Sequence, residues 1–287
     1  QAQYFYRLRL SPATVILDFM EILQAILLGI IEGLTEFLPV SSTGHLIIAE
    51  QYMSFKDSAK VFSVVIQLGA ILAVVWYYRR DLAAKLAGLF KSDKVSKQFF
   101  INLVAASIPA GILGLALDKK FEDYATPGVV ATALILGAFV LLWADKFDKH
   151  RRSEGAERNN LDKLSLKQAL LAGFAQTIAL IPGVSRSGAA IVGGLFGGMN
   201  RVTATAFSFY LGIPILGGAA VYKLITDRHE LASVSGGGTS IILGLITSFI
   251  VALMAISWLL KYVSTHSFKI FVYWRIILGI VVLALLF

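Results

Sequence analysis

Glu32 and Glu36 stand four residues apart inside an apolar stretch that reads LGIIEGLTEFLPVSSTGHLII. On a helix that spacing puts both carboxylates on one face. A charge at the centre of a bilayer costs roughly 2.5–3.5 kcal/mol on insertion scales, and a second like charge adds repulsion. Such a pair needs a bound cation, a shared proton or an arginine, unless it sits at the membrane surface and faces water. No lysine lies nearby in the sequence. A divalent cation with oxygen ligands, Mg²⁺ or Ca²⁺, therefore suits Glu32 and Glu36 as metal ligands.

The segment 39–45, PVSSTGH, adds hydroxyls and an imidazole. Ser42 and His45 are three apart, so a helix beginning here turns them the same way and makes a nucleophile–base candidate. Ser41, Ser42 or Thr43 would equally serve as a helix N-cap. The two uses are compatible, because a helix N-terminus also attracts anions. The segment 182–188, PGVSRSG, places Arg186 in the middle of a second apolar stretch. A buried guanidinium is suited to bidentate binding of phosphate or carboxylate. Ser185, Ser187 and the flanking backbone N–H groups would complete an anion nest. An ion pair from Arg186 to Glu32 or Glu36 competes with that reading, and both can hold in an empty site. Ser41, Thr43, Gly183, Gly188 and Gln176 are the further candidate substrate contacts. Carboxylates with a metal, a Ser/His pair and an arginine in a Ser/Gly nest suit phosphoryl transfer. The apolar surround calls for a lipid-tailed substrate that arrives sideways from the bilayer.

The elements that must position these groups follow from composition. Of 287 residues, 57% are hydrophobic and 15% charged; a soluble domain carries about 25% charged residues. Apolar runs at about 62–78, 98–117, 128–144, 203–222, 240–260 and 270–287 are long enough to cross a hydrocarbon core of roughly 30 Å. Aromatic residues gather at their ends, among them Trp76, Tyr77, Tyr78, Trp143, Trp258 and Trp274, as in interfacial belts. Two more stretches, about 21–50 and 165–199, are interrupted by Pro, Gly, Ser and charge. A re-entrant helix–loop–helix hairpin tolerates such a break where the loop is buried in protein or lines a wet cavity. The net charge of +8 belongs mostly to short loops, which argues against nucleic acid. There is no cysteine, so neither disulfide nor thiolate metal site is available.

Charge also orients the chain. The segments 79–97 and 145–167 are rich in Lys and Arg, so both are predicted to be cytoplasmic. The two hairpins then enter from opposite faces, and both termini are external. At an offset of 144, Gly29 matches Gly173, Glu32 matches Gln176, Val40 matches Val184, Ser41 matches Ser185, Thr43 matches Ser187 and Gly44 matches Gly188. At 145, Phe62 and Ser63 match Phe207 and Ser208. Similar halves entering from opposite sides make an inverted-topology repeat, with the site at their interface near midplane. The expected fold is an all-α polytopic membrane protein, with about six transmembrane helices and two re-entrant hairpins. One membrane domain covers 18–287, with repeat halves at about 21–144 and 165–287 and a polar cytoplasmic linker at 145–164. Residues 1–17 are read as an N-terminal extension, natural or introduced in expression.

The stretches EGLTEFLPVSSTGH (32–45) and PGVSRSG (182–188) closely resemble the undecaprenyl-pyrophosphate phosphatase family, also called the bacitracin-resistance proteins. The resemblance extends from about Asp18 to Phe287. It implies hydrolysis of undecaprenyl diphosphate to the monophosphate, a step that recycles the lipid carrier of bacterial wall synthesis. It further implies a divalent-cation requirement and a site open to the external side of the plasma membrane. The family's E-x-x-x-E motif falls on Glu32 and Glu36, its Ser-Thr-Gly-His element on Ser42, Thr43, Gly44 and His45, and its PGxSRSxxT motif on Pro182, Gly183, Ser185, Arg186 and Ser187. The last motif position departs from the pattern, with Ala190 in place of Thr. The mechanism expected from these parts has Arg186 gripping the diphosphate while Glu32 and Glu36 hold the cation. Ser42 attacks the terminal phosphorus and His45 manages the proton. Attack by metal-activated water is the variant. A lipid transporter or flippase is the competing class, since inverted repeats with broken helices are common there. The expected partners are a polyprenyl diphosphate and the bilayer, with a homodimer compatible.

Overall fold

A computed structural model describes residues 12–57, 60–123, 126–153 and 160–286. Every regular element among them is helical. The first half holds α1 (Pro12–Thr35), α2 (Ser42–Met53), α3 (Val61–Tyr77), α4 (Arg79–Phe90), α5 (Lys94–Asp123) and α6 (Pro127–Ser153). The second holds α7 (Leu166–Gln176), α8 (Arg186–Phe196), α9 (Arg201–Thr226), α10 (Gly237–Thr265) and α11 (Lys269–Ala284). Each of the six apolar runs is a helix. The basic segments are more ordered than loops: α4 fills most of 79–97, and α6 carries Lys146, Lys149, Arg151 and Arg152 on its last turns. Most of the extension read at 1–17 lies outside the described residues, but its last part, from Pro12, already belongs to α1.

Among the described residues, fewer helices than six meet the dimensions of a span. Four are long and apolar enough by length and composition (within α5, α6, α9 and α10), or up to five if α3 and α4 count as one bent span. The reasons are geometric. The α3 helix is 17 residues long and bends by 69° into α4. The α11 helix has 16 residues, a rise of about 24 Å at 1.5 Å per residue.

The two interrupted stretches break in the same way. Thr35 ends α1, a turn carries Pro39, and Ser41 takes φ 71° before α2 begins. In the second, α7 passes into a 3-10 turn over Thr177–Leu180; Gly183 then has φ 96°, and Ser185 takes φ 77° before α8. Each serine caps its helix: Ser41 Oγ accepts from the Gly44 N–H at 3.3 Å, and Ser185 Oγ from the Gly188 N–H at 3.1 Å. Positive φ at a non-glycine residue costs of order 1–3 kcal/mol. Here it is offset partly by the cap and partly by packing around the turn.

The helices pack in pairs. The α1 helix lies on α10, and its counterpart α7 lies on α5; α3 contacts both α9 and α10, and α6 contacts α11 and α8. Small residues let backbones approach, as expected where lipid and side chains are equally apolar. A Cβ on Gly29 would lie 2.6 Å from the Gly244 carbonyl oxygen of α10, and one on Gly33 2.7 Å from that of Ser248. The matching Gly173 of α7 is pressed against the Ala106 backbone of α5. These contacts hold the two breaks side by side in the helical core.

Candidate active site

Glu36 is the hub. It follows α1 immediately and keeps the helical pattern, donating its N–H to the Glu32 carbonyl at 2.9 Å. Its carboxylate, 5% exposed for the residue as a whole, faces the second loop. Oε2 accepts the Ser42 hydroxyl at 2.6 Å, and Oε1 accepts from Arg186 Nη2 at 3.0 Å and Nε at 3.3 Å. The third guanidinium nitrogen, Nη1, donates to the Ser208 carbonyl at 2.7 Å. Gly212, one turn beyond Ser208, leaves room for this: a Cβ there would sit 3.2 Å from Arg186 Nη2. Ser42 and Arg186 each occupy the first position of their helix, α2 and α8. Two helix N-termini, with their positive dipole ends and unsatisfied N–H groups, therefore converge on one carboxylate.

The loops are also tied to one another. Ser187 Oγ donates to the Leu38 carbonyl at 3.0 Å and lies 3.2 Å from Ser185 Oγ. Arg275 of α11, 1% exposed, supplies a larger tie. Nε donates to the Leu134 carbonyl at 3.0 Å, Nη1 to Pro39 at 3.1 Å and Val184 at 3.0 Å, and Nη2 to Ala133 at 3.1 Å and Gly183 at 3.3 Å. A guanidinium has five N–H groups, and each finds a carbonyl. They come from both loops and from α6, where Gly137 gives the space that Nη2 fills.

Glu32 is fully buried, and among the described residues neither of its carboxylate oxygens has a hydrogen-bond partner. An unpaired buried carboxylate is costly, and this one stands one helical turn from Glu36. The donor set fits a hard cation such as Mg²⁺, which is commonly held by one or two carboxylates and completed by phosphate oxygens and water. Among the described residues no cluster of three or more His, Cys, Asp or Glu side chains forms an all-protein cage.

Other expected residues sit differently. His45 makes no hydrogen bond to Ser42. Its Nδ1 bonds the Ser41 carbonyl at 2.7 Å, its Nε2 lies 2.9 Å from the indole Nε1 of Trp274, and the two rings lie within 4° of parallel, edge to edge. An indole only donates, so Nε2 accepts and Nδ1 carries the proton. Helical spacing does turn His45 toward its own loop, but α11 claims the ring. Gln176 is buried against α5 and donates to the Ala106 carbonyl at 3.4 Å, so it is not among the residues that meet at Glu36. Thr43 is exposed on the first turn of α2. Ser41, Ser185, Gly183 and Gly188 serve as caps and turn positions, and Ala190 is buried in the core. Sequence reading overlooked Arg275, Trp274 as a partner of His45, and the Ser208 carbonyl. Arg275 had a signal, a permanent charge inside the run 270–287. The carbonyl acceptors had none.

A hydroxyl on a carboxylate, a guanidinium and a second buried carboxylate thus lie together among apolar helices. The chain belongs to the family described as bacitracin resistance protein BacA, whose model matches residues 25–281. It is 45% identical over 269 residues to undecaprenyl-diphosphatase 1 of Burkholderia lata, covering 93% of this chain and 96% of that protein. It is 46% identical over 270 residues to the undecaprenyl-diphosphatase of Dechloromonas aromatica, with the same coverage.

Proposed function

We propose that the chain is a membrane-embedded phosphatase that hydrolyses undecaprenyl diphosphate to undecaprenyl phosphate and phosphate. The relatives carry that name, and the observation that carries the reading is the Ser42–Glu36–Arg186 constellation. Glu36 Oε2 is placed to take the hydroxyl proton as Ser42 Oγ attacks the terminal phosphorus. The phosphoanhydride bond breaks, and the lipid monophosphate leaves. Water then attacks the phosphoserine, Glu36 returns its proton to the departing Ser42 Oγ, and inorganic phosphate leaves carrying the proton lost by the water. Arg186 is held by Glu36 and Ser208; a diphosphate, with more oxygens and more charge, would compete for its N–H groups. Glu32, with Glu36 beside it, would hold a divalent cation. Such an ion supplies charge neutralisation at the phosphate oxygens. His45, fixed by Ser41 and Trp274, holds the first turn of α2 in place and is not in contact with the nucleophile.

In the bilayer the two hairpins are re-entrant and come from opposite faces, as the basic segments 79–97 and 145–167 and the matched breaks support. The protein is a multi-pass membrane protein of the bacterial plasma membrane. The site opens to the external side, where both termini lie, and the cell-wall carrier is recycled there. Phosphate release from C55 and C15 diphosphates in detergent, with and without chelator, tests the activity. Turnover that stops with chelator and in the Ser42→Ala variant is expected. A transporter would release no phosphate from either substrate.

A further inference from the structure

We propose that α4 is an interfacial helix that lies in the headgroup layer of the inner leaflet and binds anionic phospholipid. Three observations meet here. First, the end of α3 is marked as an interface: Trp76, Tyr77 and Tyr78 follow one another, Trp76 is 54% exposed, and Arg79 stacks over its ring at 4.7 Å while Nη1 donates to its carbonyl at 2.7 Å. Second, the chain turns by 69° at that belt, so a helix leaving an upright α3 runs close to the membrane plane. Third, α4 has two faces of different use. One is anchored to the protein. Lys85 bonds Asp162 at 2.5 Å, pairs with Asp81 at 3.2 Å and sits over the Phe99 ring at 4.9 Å, while Asp81 accepts from the Tyr210 hydroxyl. The other is exposed and apolar at Ala83, Leu86, Ala87 and Phe90, spacings of three and four that form one helical stripe. Phe90 is 92% exposed.

Cations border the stripe: Arg79 and Arg80 at its start, Lys91 just past its end, and Lys94 and Lys97 on the first turn of α5, all exposed. An apolar stripe among basic residues, at the depth of an aromatic belt, matches a lipid surface with acyl chains below and phosphates beside it. The leaflet is the cytoplasmic one in the topology proposed above. The assignment of the occupant stands apart from the phosphatase reading, because none of these residues touches the site at Glu36.

The chain has no cysteine, so one introduced at Ala87 takes a single fluorophore. The labelled full-length protein is placed in nanodiscs of phosphatidylcholine with zero to half phosphatidylglycerol. Quenching by brominated acyl chains is compared with quenching by aqueous iodide. The expected result is strong bromolipid quenching and weak iodide quenching, with the ratio rising several-fold as phosphatidylglycerol is added. In the same background Leu86→Ser with Phe90→Ser should lower the bromolipid quenching. Arg79→Gln with Arg80→Gln and Lys91→Gln should remove the dependence on phosphatidylglycerol. An unchanged melting temperature in detergent shows that each variant is folded. A label open to iodide in every lipid, quenching indifferent to phosphatidylglycerol, or protection from both quenchers by a second copy of the chain would each overturn the proposal.

Discussion

Ser42 Oγ lies 2.6 Å from Glu36 Oε2, and the other oxygen of that carboxylate is bonded to Arg186. One carboxylate therefore both orients the hydroxyl and holds the arginine. Removing its charge by Glu36→Gln should lower kcat by about 10²-fold or more, within the range for a general base. Ser42→Ala should do the same and abolish any acid-stable phosphoprotein. His45→Gln should cost less, because His45 does not touch Ser42. Residual turnover and the absence of phosphoserine in quenched wild-type enzyme would transfer the attack to water. A loss in His45→Gln equal to that in Glu36→Gln would return the base to the imidazole.

Arg275 binds five carbonyls, and no carboxylate is among them. Lysine offers three donors, so Arg275→Lys loses at least two of the five bonds; Ala133 and Leu134 keep their helical partners within α6, and a carbonyl of Pro39, Gly183 or Val184 left without a donor costs about 1–3 kcal/mol. The variant should unfold at lower temperature. Because the lost bonds include those to Pro39 and Val184, kcat should fall more than KM rises. A variant with unchanged melting and unchanged kcat would show that the loops do not depend on this residue.

Glu32 has two buried oxygens without partners. Chelation should stop turnover, and Mg²⁺ or Ca²⁺ should restore it. Glu32→Gln should raise the cation concentration needed for half-maximal activity by tenfold or more while leaving the protein folded. If the cation dependence of Glu32→Gln matched the wild type, Glu32 would not be a ligand.

Gly183 has φ 96°, and a Cβ there would come 2.5 Å from the Val130 carbonyl oxygen. Gly183→Ala should therefore carry both backbone strain and a clash with α6, a cost of about 2 kcal/mol or more. Thermal melting in detergent reads the first effect. Activity measured well below the transition reads the displacement of Arg186, three residues on. Val130→Ala does not relieve a clash with backbone, so it should not rescue the variant.

The sequence by itself determined the helices and their breaks. Apolar runs have no stable alternative to helix in lipid, and Pro39 and Pro182, with the serines that follow, mark where helix must stop and restart. It also determined which residue types meet, because Glu32, Glu36, Ser42 and Arg186 are too costly in an apolar stretch to be there without partners. Tertiary structure decided the pairing. Glu36 and Arg186 are 150 residues apart, and periodicity could not say whether Glu32 or Glu36 would take the arginine. Nor could it say that Trp274 would claim His45 and leave Ser42 to Glu36. Arg275 shows the limit most clearly: its charge is visible in the sequence, but all of its partners are backbone carbonyls, which every residue has. Only the packing of α11 against α6 and the two loops selects which five it reaches.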